Sequence, residues 1–300
     1  MRDRNYKGFT LIELVITMTV GSIIALVTSQ LISRPVTAYA NLSLRAQLVD
    51  SAESSLERMT REIRSALPNS IRINTTNNSI EFLRTIDGGR YRLHPTDDLV
   101  SSGNVLSFDP SIDDNSDGFE VLGPLSNPGG IATSSDAGDC ITGNADCLVI
   151  FNTGQINNNA YQLDNVATIT GVSGTPSIIT FAFQGTQEAF PTSSLMQRFS
   201  IIDTPISFIC DTTADTIRRY ENYPITASHA NVDQASELTS LGANNALVAD
   251  KIDECSFEYN SGSATRSGLV TIRLKLSETM PSGHVESVTL VQQIHVKNTP

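Results

Sequence analysis

A predominantly apolar run extends from Phe9 to Val27, then thins into a one-sided stripe, and past residue 67 apolar positions alternate with polar ones. The run holds one charge, Glu13, and no proline. At about 1.5 Å per residue it covers roughly 28 Å, the hydrocarbon thickness of a bilayer, and predicts a membrane span over 9–27. Arg2, Arg4 and Lys7 precede it against Asp3 alone, a bias that keeps the short N-terminus cytoplasmic and exports the rest. A secretory signal has a shorter apolar core followed by its small-residue cleavage site. Here the small residue, Gly8, precedes the run and a carboxylate lies inside it.

Beyond the span the helical period continues. Ala38, Leu42, Val49, Ala52, Leu56, Met59, Ile63 and Ala66 recur at spacings of three, four and seven. Arg45, Asp50, Glu53, Glu57, Arg61, Glu62 and Arg64 fill the opposite face, with Glu57–Arg61 a favourable i,i+4 pair. Pro35 predicts a kink and Leu67-Pro68-Asn69 a stop. One bent helix of about 58 residues, 9–66, would be roughly 87 Å long.

The period then becomes two. Strands are predicted at Ser70–Asn74 and Ser79–Ile86, with Asp87-Gly88-Gly89 as a hairpin turn into Arg90–His94. Residues 95–146 are rich in Asp, Ser, Asn, Gly and Pro and read as a loop insertion, with short strand-like pieces at Val105–Phe108 and Phe119–Leu122. Cys147–Asn152 is a short apolar run suited to a central strand, and Asn152–Asn165 reads as loop. Candidate strands follow at Ile178–Phe183, Arg198–Ile202, Ile206–Cys210 and Thr216–Tyr220, then one short helix within 227–247. Ile252–Tyr259, Leu269–Ser277 and Val285–Val296 alternate best, with Pro281-Ser282-Gly283 turning the last two. The expected fold is α+β: a long N-terminal helix, membrane span plus amphipathic half, on an antiparallel β-sheet head with large loop insertions. The expected division is a leader 1–8, the helix 9–66 and a β-rich head 67–300.

Composition narrows the functions. With 39% hydrophobic residues in 300, the chain can bury a sizeable core. Its net charge of −12 becomes −14 without the leader, and no basic cluster suggests nucleic acid as a partner. Four cysteines in an exported chain predict two disulfides out of three connectivities. Cys140 and Cys147 enclose a turn-rich hexapeptide, and Cys210 and Cys255 sit at ends of alternating runs, which suits a bridge across neighbouring strands. A four-cysteine metal site would be the rival, but no C-x2-C spacing is present.

Asp113-Asp114-Asn115-Ser116-Asp117-Gly118 fits the first half of a calcium loop, with Asp113, Asn115 and Asp117 as alternating oxygen ligands. The twelfth position is Pro124, so Ca2+ would need a ligand from elsewhere, such as Asp109 or Glu120. Exposed turns have the same composition. His94, His229, His284 and His295 are scattered and read as ordinary surface or strand residues. No nucleophile motif, phosphate loop or H-E-x-x-H is present, and an enzyme is not expected.

Gly8-Phe9-Thr10-Leu11-Ile12-Glu13 resembles the type IV prepilin signature, shared with the pseudopilins of type II secretion. The resemblance implies cleavage between Gly8 and Phe9 by a prepilin peptidase, N-methylation of Phe9, and retention of the helix as filament core. It also implies that Glu13 pairs with the Phe9 amine of a neighbouring subunit; a carboxylate in hydrocarbon is costly and marks function. Gln197–Cys210, Ile217–Tyr220, Arg266–Ile272 and Gln293–Pro300 are similar to the large minor pilins of the mannose-sensitive haemagglutinin (MSHA) pilus system, the MshO type. The acidic loop at 109–120 and the Asn-rich loop at 152–165 have no place in that resemblance. It implies a minor pilin that helps to initiate assembly or caps the tip, alternatively a minor pseudopilin of type II secretion or a tip adhesin. The implied partners are major and minor pilins, the prepilin peptidase and the inner-membrane assembly platform. The implied location is the inner membrane of a Gram-negative bacterium, head periplasmic, then the pilus.

Overall fold

The computed structural model describes residues 8–93, 105–110, 118–262, 267–280 and 283–299. It begins with helix α1 (Leu11–Arg64), then strands β1 (Arg72–Ile73), β2 (Ser79–Arg90) and β3 (Phe119–Glu120). Helix α2 (Asp139–Thr142) leads to β4 (Cys147–Ile150), β5 (Val166–Ser173), β6 (Ile178–Ala182), β7 (Arg198–Asp211) and β8 (Thr216–Glu221). Helix α3 (Ala235–Ser240) precedes β9 (Asn244–Asp250), β10 (Ile252–Asn260), β11 (Gly268–Thr279) and β12 (Val285–Val296). The architecture is α+β, a long helix on antiparallel sheets.

The helix is two residues shorter at each end than its sequence period suggests, and it runs through Pro35 without a break in assignment. Its buried seam is Leu48, Ala52, Leu56, Met59 and Ile63, with Ser55 and Thr60 beside them. Ala38 and Leu42 lie outside this seam, and Leu48 is its first deeply buried member where Val49 was expected. The cause is the reach of the sheet. Arg45 lies 3.6 Å from Glu286 at the start of β12, and only beyond that point does a surface cover the helix. Each large seam side chain contributes about 1.5–3 kcal/mol on burial.

Glu62, expected on the solvent face, is half-buried and joined to Arg219 of β8. The pair belongs to a chain of alternating charge: Arg58–Glu62 at 3.6 Å, Glu62–Arg219, Arg219–Glu221 at 2.8 Å, Glu221–Arg84 at 3.7 Å and Arg84–Asp203. It ties α1 to three strands of the large sheet. Arg58–Glu62 is the i,i+4 pair that forms, and Glu57–Arg61 is not among the ion pairs of the described residues.

Among the described residues the large sheet has nine strands, in the order β1-β2-β7-β4-β5-β6-β3, with β8 on β7 and β9 on β8. The small one is the meander β10-β11-β12. The helix seam, Ile80 and Phe82 of β2, Ile206 and Phe208 of β7, and Val270 to Leu276 of β11 form one core between helix and both sheets. A second, aromatic core groups Tyr91, Phe119, Phe190 and Phe199 at the far end of the large sheet.

Three predicted elements are corrected. Asp87-Gly88-Gly89 is not a hairpin turn; β2 runs straight through it and pairs Gly88 with Ser200 and Gly89 with Phe199. Glycine is required there because a Cβ on Gly88 would lie 2.8 Å from the Phe199 carbonyl oxygen. Arg198–Ile202 and Ile206–Cys210 are one strand, β7. Its one edge takes β4 along Phe199–Ile202 and β8 along Ser207–Asp211, so Pro205 falls in the gap between two partners, where its missing N–H is tolerated. Strands β5 and β9 carry no matching expectation.

Cys140–Cys147 joins α2 to β4 with Cα atoms 5.1 Å apart, and Cys210–Cys255 joins β7 to β10 at 6.4 Å. The second bridge therefore links the two sheets rather than neighbours in one. Closing its 45-residue separation, against 7 for the first, removes about 4 kcal/mol of unfolded-chain entropy against about 2 to 3.

Candidate functional site

The apolar residues from Phe9 to Leu42 stand free of the rest of the chain, with Phe9 70% and Leu11 82% exposed. Among the described residues α1 is the one helix long and apolar enough to cross a membrane, and none of its most apolar window is buried. A surface apolar on all sides for this length is stable only in hydrocarbon or against other helices.

Glu13 sits at the exposed start of this surface and closes a capping box. Its amide donates to Thr10 Oγ1 at 3.4 Å, and its Oε2 accepts from the Thr10 hydroxyl at 3.3 Å and the Thr10 amide at 3.4 Å. Two orphan donors of the first turn are thereby satisfied within one chain. The signal for it, T-x-x-E ahead of an apolar run, is in the sequence but the resemblance drew attention to the carboxylate alone. These long bonds place the Glu13 carboxylate at the helix N-terminus, one turn from the Phe9 backbone.

The calcium-loop residues Asp113, Asn115 and Asp117 lie outside the described residues, as does His94. Of the suggested extra ligands, Glu120 is engaged with Arg92 at 3.9 Å. Among the described residues no group of three His, Cys, Asp or Glu is placed to hold a metal ion. His284 and His295 are exposed.

His229 is different. It flanks a buried polar cluster that sequence reasoning missed. Glu81 of β2 has no exposure, and its Oε2 accepts from Arg72 Nε at 2.5 Å while Oε1 accepts from the Tyr223 hydroxyl at 3.2 Å. Arg72 also donates to the carbonyls of Thr226 at 2.8 Å and Ala227 at 3.0 Å, with its guanidinium 3.6 Å over the Tyr161 ring. Tyr223 further shares a 2.7 Å bond with Ser207, and Tyr161 donates to the Ser70 carbonyl at 3.0 Å. Burial pushes Glu81 upward against the pull of Arg72 and lifts both tyrosines well above their ordinary range. The donors of Arg72 and the Glu81 carboxylate are spent on the chain itself, so the arrangement is a clamp between strands and loop. A charge in a strand usually marks its solvent face, and that rule hides Glu81 because both faces of β2 are buried at Ser79–Leu83.

His229 Nε2 lies 3.7 Å from Glu81 and is buried without a hydrogen-bond partner among the described residues. Burial first, then the charge of Arg72, lowers its pKa to about 4 despite Asp233 and a backbone bond to Ile73. The unfolded chain protonates this group near 6.5 and the folded chain only near 4. Its stabilisation is thus complete above about 6.5 and lost as pH falls toward about 4. Asp146, raised by burial to about 6 from 3.8, has the opposite sign in an overlapping window, losing stability as pH rises. Thermal unfolding of the full chain in non-ionic detergent between neutral pH and about pH 4 separates the two. His229→Asn should flatten the acid-side loss relative to the wild type; an unchanged profile would contradict the assignment.

An exposed apolar helix with a carboxylate capping its start, carried on a β-rich body, is the arrangement of a membrane-anchored protein. The prokaryotic N-terminal methylation motif matches residues 3–29, a stretch that contains Gly8, Phe9 and Glu13. This is the type IV pilin-like prepilin signal, found in pilins and pseudopilins, and its family is structural rather than enzymatic. It implies processing by a prepilin peptidase and assembly with pilin partners. No curated protein and no solved structure matches the chain.

Proposed function

We propose that the chain is a minor subunit of a type IV pilus of the MSHA kind, acting to initiate assembly or cap the tip. Before assembly it is held in the inner membrane by 9–27, leader inside and residues 67–300 in the periplasm. The prepilin peptidase cuts between Gly8 and Phe9 and methylates Phe9, and the assembly platform passes the helix into the filament. One observation carries the reading: an apolar helix surface free from Phe9 to Leu42 is joined to a body of twelve described strands. A small repeating subunit needs no such body, and crowding around a close-packed shaft is least at the end assembled first. The MSHA-like strings fall on β7, β8, β11 and β12, which supports a shared framework under variable loops.

Deleting the gene should lower the number of pili per cell sharply, about tenfold, and leave the length of survivors nearly unchanged. Initiation controls number because the first helices lack neighbours that bury their apolar faces and satisfy Glu13. Electron microscopy with immunogold on tagged protein gives the answer. Label along the whole shaft, or normal numbers of shortened pili, would contradict the reading.

A further inference from the structure

A cavity of about 520 Å³ opens where the end of α1, the second half of β2, the residues after β4, the start of β7 and the C-terminal tail meet. Acids outnumber bases in this chain, 32 to 20. Yet the cavity wall holds four cations, Arg64, Arg90, Arg198 and Lys297, and no Asp or Glu among its described residues. Arg90 and Arg198 stand directly opposite each other in the β2–β7 ladder. Like charges so placed weaken an antiparallel pair. Most other arginines of the β-rich body are paired, among them Arg72, Arg84, Arg92 and Arg219. The four cavity cations have no ion pair with any described residue. Thr85, on the same wall, keeps a buried hydroxyl without a hydrogen-bond partner.

The interior surface is of another kind. Leu67 and Val149 are almost fully buried and form an apolar floor, while Ser200 and Thr299 add hydroxyls. The volume falls within the range of small-molecule sites. The C-terminal end of α1 points its carbonyls this way and disfavours an anion, but that dipole amounts to about half a charge against four whole ones. Part of it is already used, since the Ser65 carbonyl accepts from Thr85 N at 2.8 Å.

We propose that this cavity binds a phosphorylated or sulfated sugar. The oxyanion is held by Arg90 and Arg198, with Arg64 and Lys297 at the rim, and the ring lies over Leu67 and Val149. Arginine suits this role because its planar fork offers two parallel donors to a tetrahedral oxyanion. Four cations favour the doubly charged phosphate monoester over the singly charged sulfate ester. The binding is independent of filament assembly and survives if the pilus reading fails.

The test is thermal unfolding of the full chain in non-ionic detergent at fixed ionic strength. The probes are glucose 6-phosphate, glucose 6-sulfate, glucose and inorganic phosphate. The wild type should gain stability with glucose 6-phosphate and less with the sulfate, following the linkage of ligand to the folded state. Glucose should do nothing, and inorganic phosphate should act at higher concentration because it lacks the ring. Arg90→Gln with Arg198→Gln should start at or above the wild-type transition temperature, since the repulsion is gone, and show no gain. Lys297→Gln, a change on the exposed tail, should fold normally and weaken apparent affinity about tenfold. An equal gain in the double variant, or no gain in the wild type and Lys297→Gln alike, would overturn the proposal.

Discussion

Glu13→Ala is expected to enter the membrane as well as the wild type and to fail in filament assembly. The substitution removes a charge from an apolar run, which makes insertion easier. In the free chain the carboxylate satisfies only its own first turn, through bonds of 3.3–3.4 Å to Thr10. Such long bonds exchange readily for a charge-assisted one with the amine of a neighbouring Phe9. The neighbour's Phe9 amine is then left as an unpaired charge against hydrocarbon, and a loss of about 3 kcal/mol should lower incorporation by about a hundredfold. Glu13→Gln separates the two roles: it can still cap the helix but carries no charge, and it should fail nearly as badly. Immunoblots of membranes and sheared pili measure both quantities. Normal incorporation of either variant would remove the assembly role from Glu13.

Arg72→Ala should be the most destabilising single change in the β-rich body. It strands Glu81, which has no exposure, without its 2.5 Å partner and strips donors from the carbonyls of Thr226 and Ala227. Breaking a buried pair from one side costs about 3–5 kcal/mol, and in a body this size lowers the transition temperature by about 10 °C. Glu81→Gln should cost less, because the amide oxygen still accepts from Arg72 and the amide NH2 can donate to the Tyr223 hydroxyl. Arg72→Met combined with Glu81→Leu should recover most of the loss, since the uncompensated charge disappears with its partner. A double variant as unstable as Arg72→Ala would mean that the carbonyl contacts, not the ion pair, hold the loop.

What could be read from the chain follows from how local each signal was. The long N-terminal helix and strands β10 to β12 were legible because one period governs each over nine or more residues. Glu13 stood out for the same reason, as a charge where none belongs. The middle was harder because its strands are buried on both faces. All four residues of β4 are buried, as are the first four of β5, so alternation is lost, and Gly171 adds a register shift. Strand β7 hid behind Pro205 and β2 behind its glycines, and in both the tertiary partner overrides the local rule. The polar clamp at Glu81 and the cation-lined cavity were not legible at all. Their members come from segments up to 233 positions apart, Arg64 and Lys297 being the extremes, and no spacing rule connects them.

The account depends on the mature chain beginning at Phe9. Intact-mass and N-terminal analysis of the protein, purified from cells with and without a working prepilin peptidase, tests this directly. With the peptidase the chain should start at Phe9 and carry one extra methyl group on its amine. Without it Gly8 and the leader should remain. A mature protein that keeps its leader in both strains, or is cut C-terminal to Glu13, would contradict the central claim.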